Sequence, residues 1–164
     1  MLESQREGVP RNDGGELDTA LAFLSFARSC VLKKVSGLDD EQLRRRLVVS
    51  DTTLLGLVAH LTDAERYWFG FTLAGDVRYA DVDFDMVVAA DRRADQVIAD
   101  YRSAIAESDA HISAAGGMDV RTARPVDGEP RTLRWVFAHM TGETVRHAGH
   151  ADILRELVDG ATGR

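Results

Sequence analysis

The sequence predicts an all-α protein, a four-helix bundle with one short extra helix. Three observations carry that prediction. Apolar residues recur at three- and four-residue steps over four long stretches. No segment alternates polar and apolar residues in the manner of a half-buried strand. The stretches are separated by runs containing Gly, Pro and Asp, which stop helices. Helices that are apolar on one face bury those faces against each other. A length of 164 residues fits one domain with a sizeable core. Residues 1–15, polar and containing Pro10 and Gly14-Gly15, are expected to form a flexible N-terminal arm, and residues 16–160 the bundle domain.

The first long helix starts at Glu16, with Leu17, Ala20, Leu21, Leu24, Ala27 and Val31 on one face, and stops at Ser36-Gly37. Asp39 caps a short helix, with Gln42 three residues on, the spacing of a capping box. After a turn at 49–52 comes a strongly apolar helix over about 53–73. The aspartate-rich stretch 75–90 reads as a long connection anchored by Tyr79 and Phe84. A helix over 91–115 carries Ala94, Val97, Ile98, Tyr101, Ile105 and Ile112. Gly116-Gly117, Pro125 and Pro130 make 116–131 a loop. The last helix spans 132–159, with Thr132 as N-cap and Gly160 as stop.

Twenty basic residues against 27 acidic ones give a net charge of −7. No basic stripe of the kind that neutralises phosphates is present, so nucleic acid is not an expected partner. Arg44-Arg45-Arg46 reads as a solvated face. Lys33 and Lys34 are the only lysines, and the abundant Ala, Gly, Asp and Val hint at a GC-rich bacterial genome. The single cysteine, Cys30, forms no internal disulfide and reads as a buried, inert thiol. No apolar run approaches ~20 residues and the first residues lack an apolar signal core, so no membrane partner and a cytoplasmic location are expected.

The informative question is which polar residues face the interior. With His139 set at zero on the last helix, Val136, Met140, Ala151, Leu154, Leu157 and Val158 fall in an arc of about 0–120°. Glu143 falls near 40° and His147 near 80°, inside that arc, while His150 and His139 flank its edge. On the second long helix His60 lies among Leu57, Leu61, Ala64, Trp68 and Phe71. A carboxylate directed inward needs compensation, because its desolvation costs several kcal/mol. Two imidazoles and a carboxylate from two facing helices form a three-ligand set with an open position, the pattern of a catalytic rather than a structural zinc. The same residues also admit a plainer reading, with His60 a satisfied core histidine and Glu143 and His147 an i,i+4 pair. Trp68 and Trp135 fit either the core or a pocket wall. His-Glu-x-x-His, paired Glu-x-x-His, Cys-x-x-Cys, the P-loop and Gly-x-Ser-x-Gly are all absent.

Two segments carry a resemblance. Residues 54–69, with His60, Glu65 and Trp68, and residues 133–152, with Trp135, His139, Glu143, His147 and His150, resemble the DinB/YfiT-like superfamily. They are most similar to its actinobacterial branch of mycothiol-dependent S-transferases and relatives of mycothiol-dependent maleylpyruvate isomerase, over roughly residues 17–160. The resemblance implies an up-down-down-up four-helix bundle, often dimeric, holding zinc or, alternatively, nickel on three side chains. The superfamily's histidine on the second helix falls on His60 and its final histidine on His147. Many members carry a histidine four residues before the latter, where this chain has Glu143, as the isomerase branch does.

The resemblance further implies metal-dependent thiol transfer. A low-molecular-weight thiol such as mycothiol binds the metal as thiolate and attacks an electrophilic substrate. His139 and His150 are then candidates to orient the ligands or accept a proton. A non-catalytic metal-binding stress-response or sensor bundle is the alternative, and a purely structural polar cluster a third reading.

Overall fold

The computed structural model describes residues 8–163, and no strand forms among them. In chain order the helices are α1 (Glu16–Val35), α2 (Asp40–Arg44), α3 (Leu54–Glu65), α4 (Ala94–Ala115) and α5 (Leu133–Asp159). A π-helical run, Arg66–Leu73, continues α3, and a 3₁₀ turn covers Val77–Tyr79. Contacts at the ends give the directions. Glu16 at the start of α1 pairs with Arg134 at the start of α5, and Lys34 at the end of α1 pairs with Asp152 late in α5, so these two helices run parallel. Val31 packs with the α3 residues 54–61, and Leu24 with Phe69 beyond them, so α3 runs against α1. Ala94 and Val97 share the first of these clusters and Ile112 the second, so α4 runs with α3. The four long helices form an up-down-down-up bundle.

Local chemistry sets the ends. Asp39 and Gln42 make the capping box, Thr53 Oγ1 accepts the Gly56 N–H at 3.0 Å, and Thr132 Oγ1 accepts the Trp135 N–H at 3.2 Å. Gly160, at φ 77°, provides the left-handed stop of α5. The fourth helix starts at Ala94 rather than 91, because Arg93 is extended and the Ala94 N–H is taken by Asp40 Oδ1 at 3.1 Å. Leu157 departs from the expected apolar arc: it is 52% exposed near the end of α5, beyond the packed seam. The solvated-face reading holds for Arg45 and Arg46 but not for Arg44, whose guanidinium donates to the carbonyls of Val88, Ala89 and Arg92 and ties α2 to the long connection. Cys30 is buried. Residues 1–7 of the expected N-terminal arm lie outside the described residues. Residues 8–15 are non-helical, and Asn12 and the Gly14 N–H donate to Asp18 in the first turn of α1.

The core is in two parts. One gathers Val31, Leu57, Leu61, Val97, Tyr101 and Leu154; the other gathers Leu24, Phe69, Ile112, Val136, Phe137 and Met140. Between them a belt of buried polar residues crosses the bundle. On one side Arg28 (2% exposed) donates two hydrogen bonds to Glu65 (0% exposed), at 2.7 and 2.6 Å, and a third to Asp109 at 2.8 Å. Burial opposes the charge on Arg28, but Glu65 and Asp109 outweigh it and raise the guanidinium pKa further. On the other side of the belt lie His60, Glu143 and His147.

The π-helical run begins directly after Glu65. Its wider turns place Phe69 in the core while Tyr67, Trp68 and Phe71 stay half-buried on an outer face. Gly70 admits the Tyr79 ring: a Cβ there would come within 2.6 Å of Tyr79 Cδ2.

Candidate metal centre

Because α3 and α5 are antiparallel, the inward turn of each meets the other near mid-length. His60 Nε2 lies 3.1 Å from Glu143 Oε1, and His147 Nε2 lies 2.9 Å from the same oxygen. One donor atom from each residue falls within 4.8 Å of the others, and all three side chains are largely buried. The second carboxylate oxygen of Glu143 is paired with the exposed Arg146.

The surroundings of His60 determine what the cluster can hold. Its Nδ1 stands 2.9 Å from the Phe84 carbonyl oxygen. That oxygen can only accept, so Nδ1 carries the proton. Nε2 then faces a carboxylate oxygen at 3.1 Å, where it either carries a second proton toward that oxygen or offers a lone pair to a cation held beside it. Donation through one ring nitrogen to a backbone carbonyl, which fixes the tautomer and aims the other nitrogen, is a support that metal-binding histidines share. Donors at ~2.0–2.1 Å on a tetrahedral ion stand about 3.3 Å apart. The two separations to Glu143 Oε1 need to open by only a few tenths of an ångström, and the two imidazole donors already lie within 4.8 Å of each other, so small side-chain adjustments fit the set to a divalent cation.

His147 is buried, and burial first, then the neighbouring His60, His150 and Arg146, push its pKa down to about 4. The ring is therefore neutral at pH 7, the form that can donate a lone pair. In the unfolded chain it protonates near the ordinary ~6.5, so between these values the unfolded state holds more protons. The contribution of this ring to stability is complete above about pH 6.5 and is lost as the pH falls toward 4. Urea titrations of metal-free protein are expected to show a midpoint that drops across this window, with a shallower drop in His147→Gln.

His150 Nδ1 lies 3.4 Å from His147 Nδ1, so His150 touches the nitrogen of His147 that faces away from Glu143. His139, one turn before Glu143, is placed differently. Its ring stacks on Trp135, with centroids 5.4 Å apart, and lies 4.3 Å from Trp68. Burial, then Arg146, lowers its pKa. The structure thus brings His60, Glu143 and His147 together, with His150 against them and His139 among aromatic rings.

One contributor escapes a side-chain reading of the sequence. The Phe84 carbonyl is backbone and leaves no mark in the residue type. It reaches His60 because the connection lies on α3 at Gly56, where a Cβ would overlap the Met86 carbonyl oxygen. A glycine inside an otherwise apolar helix is the signal that could have found this contact. Gly56→Ala is expected to lift the connection, free His60 Nδ1 and lower zinc affinity by about 10–100-fold, as loss of an orienting partner does. Zinc titration with a competing chromophoric chelator measures it.

An up-down-down-up bundle whose second and fourth long helices bring two histidines and a glutamate together defines the class: an all-α protein with a candidate metal centre in its interhelical seam. Among the described residues no helix is long and apolar enough to cross a membrane. The sequence profile described as Mycothiol-S-transferase matches residues 19–160, and the chain belongs to that family. No curated protein matches the chain.

Proposed function

We propose that the protein is a divalent-metal-dependent thiol S-transferase in which His60, Glu143 and His147 hold the cation. The cosubstrate is a low-molecular-weight thiol, mycothiol by the family's name, and the second substrate an electrophile. The observation that carries the reading is the opposition of His60 Nε2 and Glu143 Oε1 at 3.1 Å while Nδ1 is committed to the Phe84 carbonyl.

A divalent cation held there by His60, Glu143 and His147 would supply Lewis acidity that favours the thiolate form of a thiol near neutral pH. The chain's own residues prepare the position. Phe84 fixes the His60 tautomer. Burial keeps His147 neutral, and His150 steadies its ring from the far side. Arg146 holds the outer oxygen of Glu143, leaving the other directed between the imidazoles. A nitrogen-and-oxygen donor set suits zinc first and nickel as the alternative.

The test is turnover of mycothiol with a generic alkylating agent by the full chain, before and after chelation. Saturable transfer that falls on chelation and returns with added zinc or nickel supports the reading. Metal binding without thiol-dependent turnover would leave a binding protein, and the transferase reading would be abandoned.

A further inference from the structure

Beside the candidate metal centre lies an aromatic surface that the three ligands do not use. Ring contacts run without a break from His60 to Phe84 (6.0 Å), Tyr67 (5.3 Å) and Trp68 (5.3 Å), then to His139 (4.3 Å) and Trp135 (5.4 Å). The surface is not sealed: Phe84 is 40% and Trp135 37% exposed, and Tyr67, Trp68 and His139 are half-buried. A run of rings left partly in water next to a polar centre marks a place where something else is meant to stack.

We infer that this surface binds the electrophile, and that the electrophile is a planar, electron-poor arene. The inference rests on the transferase reading and adds the substrate class. Indole faces are electron-rich, while an arene activated for attack by sulfur is electron-poor, so the two quadrupoles attract when the rings stack. The rim matches as well. The guanidinium of Arg131 lies 5.8 Å from the Trp135 ring centre and that of Arg124 5.4 Å from the Phe71 ring centre. The nitro, carbonyl or carboxylate oxygens that make an arene electrophilic are acceptors suited to guanidinium donors. With 1-chloro-2,4-dinitrobenzene the step balances without an oxidant. The thiolate sulfur forms a bond to the chlorine-bearing carbon, the C–Cl bond breaks, chloride leaves with the bonding pair, and the thiol's proton passes to solvent.

The chain's two tryptophans both lie in this surface, so tryptophan fluorescence, excited where tyrosine does not absorb, reports on it. Metal-free protein titrated with 2,4-dinitrotoluene, which cannot be displaced at carbon, is expected to show saturable quenching. Trp135→Ala should weaken that binding about fivefold and Trp135→Phe should restore most of it, since one stacked ring is worth about 1 kcal/mol. In turnover with mycothiol, Trp135→Ala should lower the preference for chlorodinitrobenzene over iodoacetamide by a similar factor, mainly through KM. Circular dichroism and zinc content check that the variant is folded. Absence of saturable quenching, or a Trp135→Ala variant with unchanged affinity and preference, overturns the inference. Quenching with no thiol transfer to any electrophile overturns the transferase reading and with it the role of the stacked ring as electrophile.

Discussion

Glu65→Ala is expected to destabilise the fold by about 3–5 kcal/mol, the cost of leaving a buried charge without its partner. Arg28 is held inside the bundle by two hydrogen bonds from its guanidinium to Glu65, and of its carboxylate partners Asp109 alone would remain. Against a total stability of about 5–15 kcal/mol, such a loss leaves little margin. Urea unfolding followed by circular dichroism should show a large fall in midpoint. The double variant Arg28→Met with Glu65→Leu, which removes both charges and keeps the volume, should recover most of the loss. A double variant as unstable as the single one would show that the pair is not an isolated electrostatic unit. The network ties α1, α3 and α4 together just where α3 passes into the π-helical run, so its loss should also loosen the aromatic segment.

His147→Ala should abolish tight metal binding. Wild-type protein purified without chelator is expected to carry about one equivalent of zinc or nickel, and the variant should lose affinity by more than about 100-fold, beyond what removal of an orienting neighbour costs. Elemental analysis and a competition titration measure both. Removing the imidazole also removes a neutral ring from the bundle rather than a paired charge, so the fold should survive, unlike in Glu65→Ala. His150→Ala is the comparison, with a smaller loss expected because that ring touches His147 and not Glu143. Full metal content in His147→Ala would sink the ligand assignment.

Much of the architecture was legible because helices declare themselves through period and punctuation. The faces of α1, α4 and α5 follow from apolar spacing, and the caps at Asp39 and Thr132 from residues whose oxygens accept backbone donors. The same wheel brought His60, Glu143 and His147 toward one another, since a polar residue inside an apolar arc has few other places to go. What stayed hidden depends on tertiary geometry. The belt of Arg28, Glu65 and Asp109 joins residues 37 and 81 positions apart, so no local pattern pairs them. The Phe84 contact is made by a carbonyl that every residue possesses. The register change after Glu65 was not readable either, because Arg66–Leu73 satisfies a helical period whether its turns are α or π.

That wider run also governs which changes of length the gene can tolerate. Substitutions within Arg66–Leu73 alter one side chain at a time. Loss of a single codon there would shift the phase of the residues that follow by part of the ~100° that one α-helical residue spans, the tightening of the wide turns taking up the rest. Trp68 would leave its place against His139 and Trp135, and Gly70 would no longer meet the Tyr79 ring. The loop at 116–131 carries no helical phase, and it is held to the end of this run by the Ala123 and Arg124 N–H groups, which donate to the Leu73 and Thr72 carbonyls. Sequence length between His60 and Tyr79 is therefore constrained more tightly than sequence identity.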